Sequence, residues 1–465
     1  MADEQHRYFK TVKNITRRRL TMENSKGVAN AKEIQMVAFA SAIGCVIEWY
    51  DFFLYGVVAG LVFNKLFFPN QDPFIGLLLA YVTFAIGFVA RPIGGILFGH
   101  FGDRLGRKGM LVLTLLIMGS ATFLIGLLPT YATAGVWAPI LLLVLRIMQG
   151  LGIGGEWGGA VLMAVEYAPK ERRGFYGSWP QIGVPAGLLL ATIVVALLSM
   201  VSDQAFLVWG WRVAFLLSGV LVAVGIYVRL KILETPLFRR LKQEQAEAKV
   251  PFIELWRTHS RKTILGMLCR YIEGVTFNVY GVYSIAYLTT AIKMPRITAL
   301  VAVSLASLVM VFMIPIFGKL SDSYGRHKVY RLGVIFTALL AYPAFWLMET
   351  GNTVLATLAI LVPFGVVYAA VYAPMAAMFS ELFSTRVRYT GVSFVYQFSG
   401  IFASGLTPLV AAALLHMGGN HPWLIAGYMV LVAVISLVSV SLLEDKTGTD
   451  LAEIDAAAAQ VAGAR

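Results

Sequence analysis

Apolar runs of about 18 or more residues recur along this chain, separated by short polar connections. Such runs match the thickness of a bilayer, which about 20 apolar helical residues cross. Hydrophobic residues make up 58% of the chain and charged residues only 14%, whereas soluble domains carry about 25% charged residues. The sequence therefore predicts an all-α integral membrane protein.

The apolar runs, read against glycine, proline and charged residues, predict twelve transmembrane helices. We place them near residues 36–63, 74–101, 110–129, 137–165, 174–201, 211–232, 263–291, 297–319, 329–349, 353–380, 388–416 and 423–443. The longest polar interruption, 233–262, is predicted as a cytoplasmic loop between two six-helix bundles, 36–232 and 263–443. The predicted tails are 1–35 and 444–465.

Positive charge is distributed unevenly among the predicted connections. The even-numbered connections are rich in Lys and Arg, whereas the odd-numbered ones carry little beyond Lys65, Lys293 and Arg296. Because basic residues gather on the cytoplasmic side of membranes, both termini are predicted to be cytoplasmic. The net charge of +13 follows the same rule, and we predict no nucleic-acid partner.

The chain contains an internal repeat. The motif between the second and third predicted helices recurs between the eighth and ninth, with Asp103 and Asp322 in equivalent places 219 residues apart. A second pattern, at 166–173 after the fourth helix, recurs at 381–388 after the tenth. Pseudo-symmetric duplicated halves with a site between them are typical of transporters.

Five short motifs resemble those of the major facilitator superfamily. In chain order they are Glu48-Trp-Tyr-Asp-Phe52, Arg91-Pro-Ile-Gly-Gly95, the loop motif 99–108, Arg146-Ile-Met-Gln-Gly150 and Gly154-Gly-Glu-Trp-Gly158. Together they look like the metabolite:H⁺ symporter family, with carriers for shikimate, α-ketoglutarate, citrate and proline/betaine. The resemblance implies the major facilitator fold, a central site open alternately to each side, and uptake coupled to protons.

Two carboxylates lie in the middle of the first predicted helix. Glu48 and Asp51 share a helical stripe with Gly44 and Tyr55, at about the depth of the bilayer centre, where ionisable groups are typically functional. We expect both to face a polar interior and Arg91 of the second helix. We predict Asp51 as proton carrier and Glu48 as its partner; the reverse assignment and a purely structural ion pair remain open.

Arginine side chains are the best candidates to hold an anionic substrate, because a guanidinium can grip a carboxylate through two bonds. We predict this role for Arg91 and Arg146, with coupling or helix packing as the alternative for Arg146. Further candidates for the pocket wall are Tyr55, Arg270, Glu273, Asn278, Tyr280, Tyr283, Tyr368, Tyr372, Tyr396 and Gln397. Arg270 and Glu273, one turn apart, could instead neutralise each other, and each tyrosine could be a packing residue.

The repeated loop motifs predict a cytoplasmic gate. Acidic and basic side chains at helix ends can form contacts in one state that break in the other. Anchoring at lipid headgroups explains lysines such as Lys108 but not the repeated acids. The predicted gate residues are Gly99, Asp103, Arg104, Gly106, Arg107, Glu166, Arg173, Asp322, Arg326, Glu381 and Arg388.

Scattered histidines and two separate cysteines, Cys45 and Cys269, favour neither an enzyme nor a metal site, and no cofactor is predicted. We predict a monomeric proton-coupled symporter of a bacterial-type inner membrane. Its predicted cargo is a small organic acid anion, either a shikimate-like monocarboxylate or a dicarboxylate. The alternatives are a proton-coupled carrier of a zwitterionic osmolyte such as betaine or proline, and a nutrient sensor that binds without transporting.

Overall fold

The structure is a computed structural model that describes residues 31–105, 107–154, 157–231, 251–451 and 453–454. At some helical positions, including 31–41, 99–105 and 107–111, it describes the backbone alone. Most of the described chain is helical.

Six long helices come before residues 232–250, which lie outside the described residues. They are α1 (Ala31–Val58, continued by a π-helical turn at Ala59–Phe63), α2 (Pro73–Leu105), α3 (Arg107–Leu127), α4 (Trp137–Gly154, resuming as Trp157–Tyr167), α5 (Arg173–Leu198) and α6 (Trp211–Leu216, resuming as Ser218–Lys231). We call this part of the chain the first half.

Six further helices form the second half of the described chain. They are α7 (Pro251–Asn278, continued by a π-helical turn at Val279–Tyr283), α8 (Arg296–Tyr324), α9 (Arg326–Glu349), α10 (Thr353–Ile360, continuing through Leu361–Val367 and Tyr368–Tyr372 to Met375–Ser380), α11 (Thr385–Gly400, continued by Ile401–Gly405 and Thr407–Met417) and α12 (Trp423–Ser441).

Ten helices within the described ranges are long and apolar enough to cross a membrane. Of the twelve predicted, the other two are α3, whose described apolar part Val112–Leu127 is short, and α7, which contains charged residues. Helix α7 begins at Pro251, inside the predicted loop 233–262, and non-helical φ/ψ angles at His259 (−130°, 19°) kink it.

Glycines on α4 allow it to approach α2 closely. A Cβ atom added at Gly150 would lie 2.1 Å from the carbonyl oxygen of Gly87, and one at Gly154 would lie 2.1 Å from that of Arg91. No side chain fits at these distances, so only glycine permits this backbone contact. The contact places Arg91 of α2 beside the middle of α4.

The two halves pack along two seams. Helix α5 packs on α8 more extensively than any other helix pair in the described fold, and α2 packs on α11. We call the end of the assembly where α4 ends, α5 begins, α8 ends and α9 begins the gate end, and the opposite end the far end. The candidate site lies between these ends, where the halves meet.

Candidate functional site

The Asp51 carboxylate is fully buried inside the first half. Its Oδ1 atom accepts a hydrogen bond from the Ser218 hydroxyl of α6 at 2.6 Å, and Oδ2 has no hydrogen-bond partner in the described chain. The expectation that Asp51 faces Arg91 is wrong. Trp49 and Phe52 form the face of α1 that meets Arg91, and Asp51 is turned toward α6 because successive helical residues point about 100° apart.

Arg146 is held by contacts within the first half. Its Nη1 atom donates to Gln149 Oε1 at 3.0 Å, and Gln149 Nε2 donates to the Thr122 hydroxyl at 2.7 Å. Its Nη2 atom makes a longer bond of 3.4 Å to the Phe84 carbonyl oxygen, and its Cζ atom lies 4.3 Å from the Tyr55 ring centre. These contacts favour a positioning role for Arg146, the alternative that the sequence left open.

Arg91 is enclosed by aromatic rings. Its Cζ atom lies 3.9 Å from the ring centre of Phe52, 4.1 Å from that of Phe88 and 5.1 Å from that of Trp49. Arg146 Cζ also lies 3.9 Å from the Phe52 ring centre, so two cations share this ring. The side chain is 1% exposed, and Nε and Nη2 have no hydrogen-bond partner within the described residues. These two nitrogens form one edge of the guanidinium, suited to bidentate binding of a carboxylate.

Arg270 and Glu273 of α7 form a buried ion pair that other side chains of the second half support. Arg270 Nε lies 3.2 Å from Glu273 Oε2, and the Tyr368 hydroxyl donates to Glu273 Oε1 at 2.5 Å. Arg270 Nη1 donates to the Ser399 hydroxyl at 3.1 Å, and its Cζ atom lies 3.7 Å from the Tyr396 ring centre. The second half therefore neutralises its buried arginine, as the i, i+3 spacing allowed.

Contacts between the halves close the site on the gate-end side. The indole of Trp157 on α4 stacks on Tyr396 of α11, with ring centres 3.5 Å apart. Gln397 Nε2 donates to the Gly154 carbonyl oxygen at 3.1 Å, and the hydroxyl groups of Tyr372 and Tyr396 lie 3.4 Å apart. These residues bring α4, α10 and α11 together around one centre.

Two predicted wall residues make other contacts. The Tyr280 ring packs 6.3 Å from that of Phe345 on α9, so it lies against the second half's own helices. Asn278 Nδ2 donates to the Gly274 carbonyl oxygen of its own helix at 2.9 Å. That Tyr280 lines the pocket stays a prediction; π-helical geometry begins at Val279 and shifts the angular positions of the residues that follow around α7.

The gate end is closed by an acid of one half and a helix of the other. Asp322 of α8 accepts hydrogen bonds from the main-chain N–H groups of Gly174 (2.7 Å) and Phe175 (2.9 Å), in the first turn of α5. Arg326 bonds Asp322 at 2.9 Å and makes two bonds to Glu381, of 2.6 and 2.8 Å. A carboxylate suits a helix N-terminus, where N–H groups lack internal partners.

Three more predicted gate residues belong to this network. Arg173 Nη1 lies 3.9 Å from Glu381, and Arg388 Nη1 lies 3.6 Å from Glu166. The structure thus joins the second-half copy of the motif to the start of α5. The side chains of Gly99, Asp103, Arg104 and Arg107, and the whole of Gly106, lie outside the described residues.

A model of the Major Facilitator Superfamily matches residues 41–405 and 272–458. The chain belongs to the Major Facilitator Superfamily. It is 40% identical to the shikimate transporter of Escherichia coli (strain K12) over 423 residues, which cover 90% of this chain and 97% of that protein. It is 41% identical over 402 residues to the inner membrane metabolite transport protein YhjE of the same strain, covering 85% and 91%.

The proline/betaine transporter of Escherichia coli (strain K12) is 35% identical over 444 residues, which cover 92% of this chain and 86% of that protein. Among solved structures, the proton:xylose symporter XylE with bound 6-bromo-6-deoxy-D-glucose aligns with a TM-score of 0.72 at 18% identity, covering 92% of this chain and all of that one. This likeness confirms the major facilitator fold. The superfamily match and the relatives at about 40% identity show that the protein is a multi-pass inner-membrane metabolite transporter and not an enzyme.

Several polar and aromatic residues that surround the site were not among the site residues predicted from the sequence. They are Phe52, Phe88, Thr122, Trp157, Ser218 and Ser399. Gln149 lies within the Arg146–Gly150 motif and three residues from Arg146, which is the spacing of helical neighbours. That spacing could have identified Gln149, whereas partners on other helices, such as Ser218, leave no local signal.

Proposed function

We propose that this protein is a proton-coupled symporter that imports a small organic acid anion, a monocarboxylate or a dicarboxylate, by alternating access. The observation that carries the proposal is the buried guanidinium of Arg91, whose Nε and Nη2 atoms have no hydrogen-bond partner in the described chain. A buried, unpaired cation is costly, and a carboxylate on this edge would supply both missing bonds.

The surroundings of Arg91 favour one carboxylate over two. Glu273 neutralises Arg270, and Gln149 engages Arg146. Arg91 therefore offers an edge for one carboxylate, while the nearby hydroxyl groups and amides can bind neutral polar groups of the substrate. A shikimate-like monocarboxylate fits this arrangement, as the name of one relative suggests.

We assign proton coupling to Asp51, with Glu48 as its partner. The Asp51 carboxyl is fully buried, bonded to the Ser218 hydroxyl, and no hydrogen bond or ion pair to a cation is found for it within the described residues. Such surroundings suit a protonated carboxyl better than an ionised one. Glu48 is also buried and lies within electrostatic range of Asp51. Its charge can therefore couple protonation of Asp51 to the substrate site.

The gate end is proposed to face the cytoplasm, since the basic connections lie there. Asp322 joins α8 to the first turn of α5 in the other half, so opening this end must break its hydrogen bonds. Such two-state contacts are what alternating access needs. We also propose that both termini lie on the cytoplasmic side and that the protein acts as a monomer.

A second candidate is a zwitterionic osmolyte such as betaine. The rings of Trp49, Phe52 and Phe88 that now surround the Arg91 guanidinium could hold a quaternary ammonium group instead. Arg91 would then bind the carboxylate of the zwitterion. The identity to a proline/betaine transporter supports testing this cargo.

The decisive experiment is uptake into proteoliposomes with an imposed inward-directed proton gradient. Labelled monocarboxylates, dicarboxylates, betaine and proline are compared in the wild-type protein and in Arg91→Ala, with Arg91→Lys as the matched variant that keeps the charge and loses the planar fork. We expect accumulation of a monocarboxylate that needs the gradient, and at least about tenfold weaker affinity in Arg91→Lys.

Accumulation of betaine with no acid transported would replace the first candidate by the second. Acid uptake that survives Arg91→Ala would remove the basis of the proposal. Binding of an acid without any accumulation would support the sensor instead.

A further inference from the structure

The chain that follows α12 lies across the gate end. Asp445 and Thr447 form a tight local turn: Thr447 donates to Asp445 Oδ1 from its main-chain nitrogen at 3.0 Å and from its hydroxyl at 2.5 Å. The next residue, Gly448, has a φ of +78°, a left-handed conformation that glycine adopts without strain. We call Glu444–Asp450 the C-terminal strap.

The strap contacts both halves at the network that closes the gate. The Thr447 hydroxyl oxygen accepts a hydrogen bond from the main-chain N–H of Arg326, the first residue of α9, at 3.0 Å. The Thr449 carbonyl oxygen accepts one from Arg173 Nη1, at the start of α5, at 2.8 Å. Gly448 turns the chain between these two bonds.

The charges at the strap fit this position. Burial by itself raises the pKa of the Asp445 carboxyl, but the hydroxyl and N–H of Thr447 and the neighbouring His327 outweigh it and hold that pKa below its ordinary value. Asp445 therefore remains ionised at neutral pH and keeps Thr447 in the conformation that meets Arg326.

Opening of the gate end has a defined consequence for the strap. Arg173 belongs to the first half and Arg326 to the second, and these halves must separate there for a passage to form. A strap of a few residues cannot hold both arginines once they move apart, so at least one of its two bonds must break. The strap bonds are thus available only while the gate end is closed.

We propose that the C-terminal strap is a latch that stabilises the state closed at the gate end. It adds to the Asp322 contacts and acts on the same two helices, α5 and α9. The latch shifts the equilibrium between the states open and closed at the gate end toward the closed state. This effect does not depend on which metabolite the protein carries.

The test is hydrogen exchange of the Gly174 and Phe175 amides, which Asp322 protects in the closed state, in the full-length protein in nanodiscs. Thr447→Val removes the hydroxyl that accepts from Arg326, and Thr447→Ser keeps it. We expect exchange of these two amides to become about fivefold faster in Thr447→Val, the effect of losing the bond of about 1 kcal/mol to Arg326, and to be unchanged in Thr447→Ser.

A second pair of variants tests the turn. Gly448→Ala strains the left-handed residue of the strap, and Gly419→Ala strains one with a φ of +66° in the loop between α11 and α12, at the far end. Neither added Cβ meets another atom within 4 Å, so neither substitution causes a steric clash. The two substitutions therefore differ only in their location in the protein. Faster exchange at Gly174 and Phe175 in Gly448→Ala alone supports the latch.

Equal exchange of these amides in the wild-type protein, Thr447→Val and Gly448→Ala overturns the latch. The same exchange increase in Gly419→Ala would show general loosening and would also overturn it. No substrate is present in these measurements, so a failure of the proposed cargo leaves their result unaffected.

Discussion

Arg91 and Arg270 are both buried arginines near the junction of the halves, yet their surroundings differ. Arg270 has a carboxylate, a serine hydroxyl and a tyrosine ring as partners, all from the second half. Arg91 has three aromatic rings and an edge of two nitrogens without a hydrogen-bond partner in the described chain. The duplicated halves thus share an architecture but not a charge balance. The difference supports our proposal that Arg91 is the arginine that binds the substrate.

The largest effect is expected where the second-half pair is broken. Glu273→Gln leaves the Arg270 charge buried without its carboxylate, and we expect a loss of about 3–5 kcal/mol in the free energy of unfolding. Reversible unfolding in mixed micelles measures it. Glu349→Gln, which removes an acid that contacts the exposed His421, should change stability by less than about 1 kcal/mol. Similar losses in both variants would contradict the paired state of Arg270.

Tyr368→Phe removes the hydroxyl that donates to Glu273. Because this bond is made to a charged acceptor, we expect a loss of about 1.5–3 kcal/mol in the same unfolding measurement. The matched control is Tyr280→Phe, since the Tyr280 hydroxyl has no hydrogen-bond partner in the described chain. That variant should leave both stability and uptake almost unchanged. A large loss of uptake in Tyr280→Phe would support its predicted place in the pocket wall.

Ser218→Ala tests the protonation state of Asp51 in the first half. The Ser218 hydroxyl donates to Asp51, and we propose that this carboxyl is protonated in the present state. A bond to a neutral carboxyl predicts a loss of about 1 kcal/mol, less than in Tyr368→Phe. In addition, Asp51→Asn should leave uptake without its dependence on the imposed proton gradient. A loss near 3 kcal/mol in Ser218→Ala would instead indicate an ionised Asp51.

The smallest effect, and one of opposite sign, is expected for Arg91→Met. Removing a cation without a carboxylate partner relieves a desolvation penalty, while it loses the contacts with three rings. We expect the ligand-free protein to gain about 1 kcal/mol or to stay unchanged, and to lose stabilisation by substrate. Thermal unfolding with and without the transported acid measures both. A clear loss of stability without ligand would show that Arg91 is a structural residue.

Much of the fold and part of the site could be predicted from the sequence. Span length identifies membrane helices, and the repeated Asp103 and Asp322 motifs indicate duplicated halves, because both signals are local in the chain. The i, i+3 spacing of Arg270 and Glu273 predicts that their side chains are neighbours on the helix. The orientation of Asp51 does not follow, since helical periodicity gives a residue's face but not the helix that covers it.

The amino-acid sequence alone indicates the superfamily, the helical architecture and the presence of buried arginines and carboxylates on particular helices. Which of these charged residues are partners becomes clear from the packing of the helices. Pairing between helices depends on their rotation and distance, which backbone contacts such as that of Gly154 with Arg91 establish. In the packed structure Arg91 lies among aromatic rings, and Asp51 is turned toward Ser218 of α6. For this reason the pairing of the buried charges is a property of the packed halves and not of any one helix.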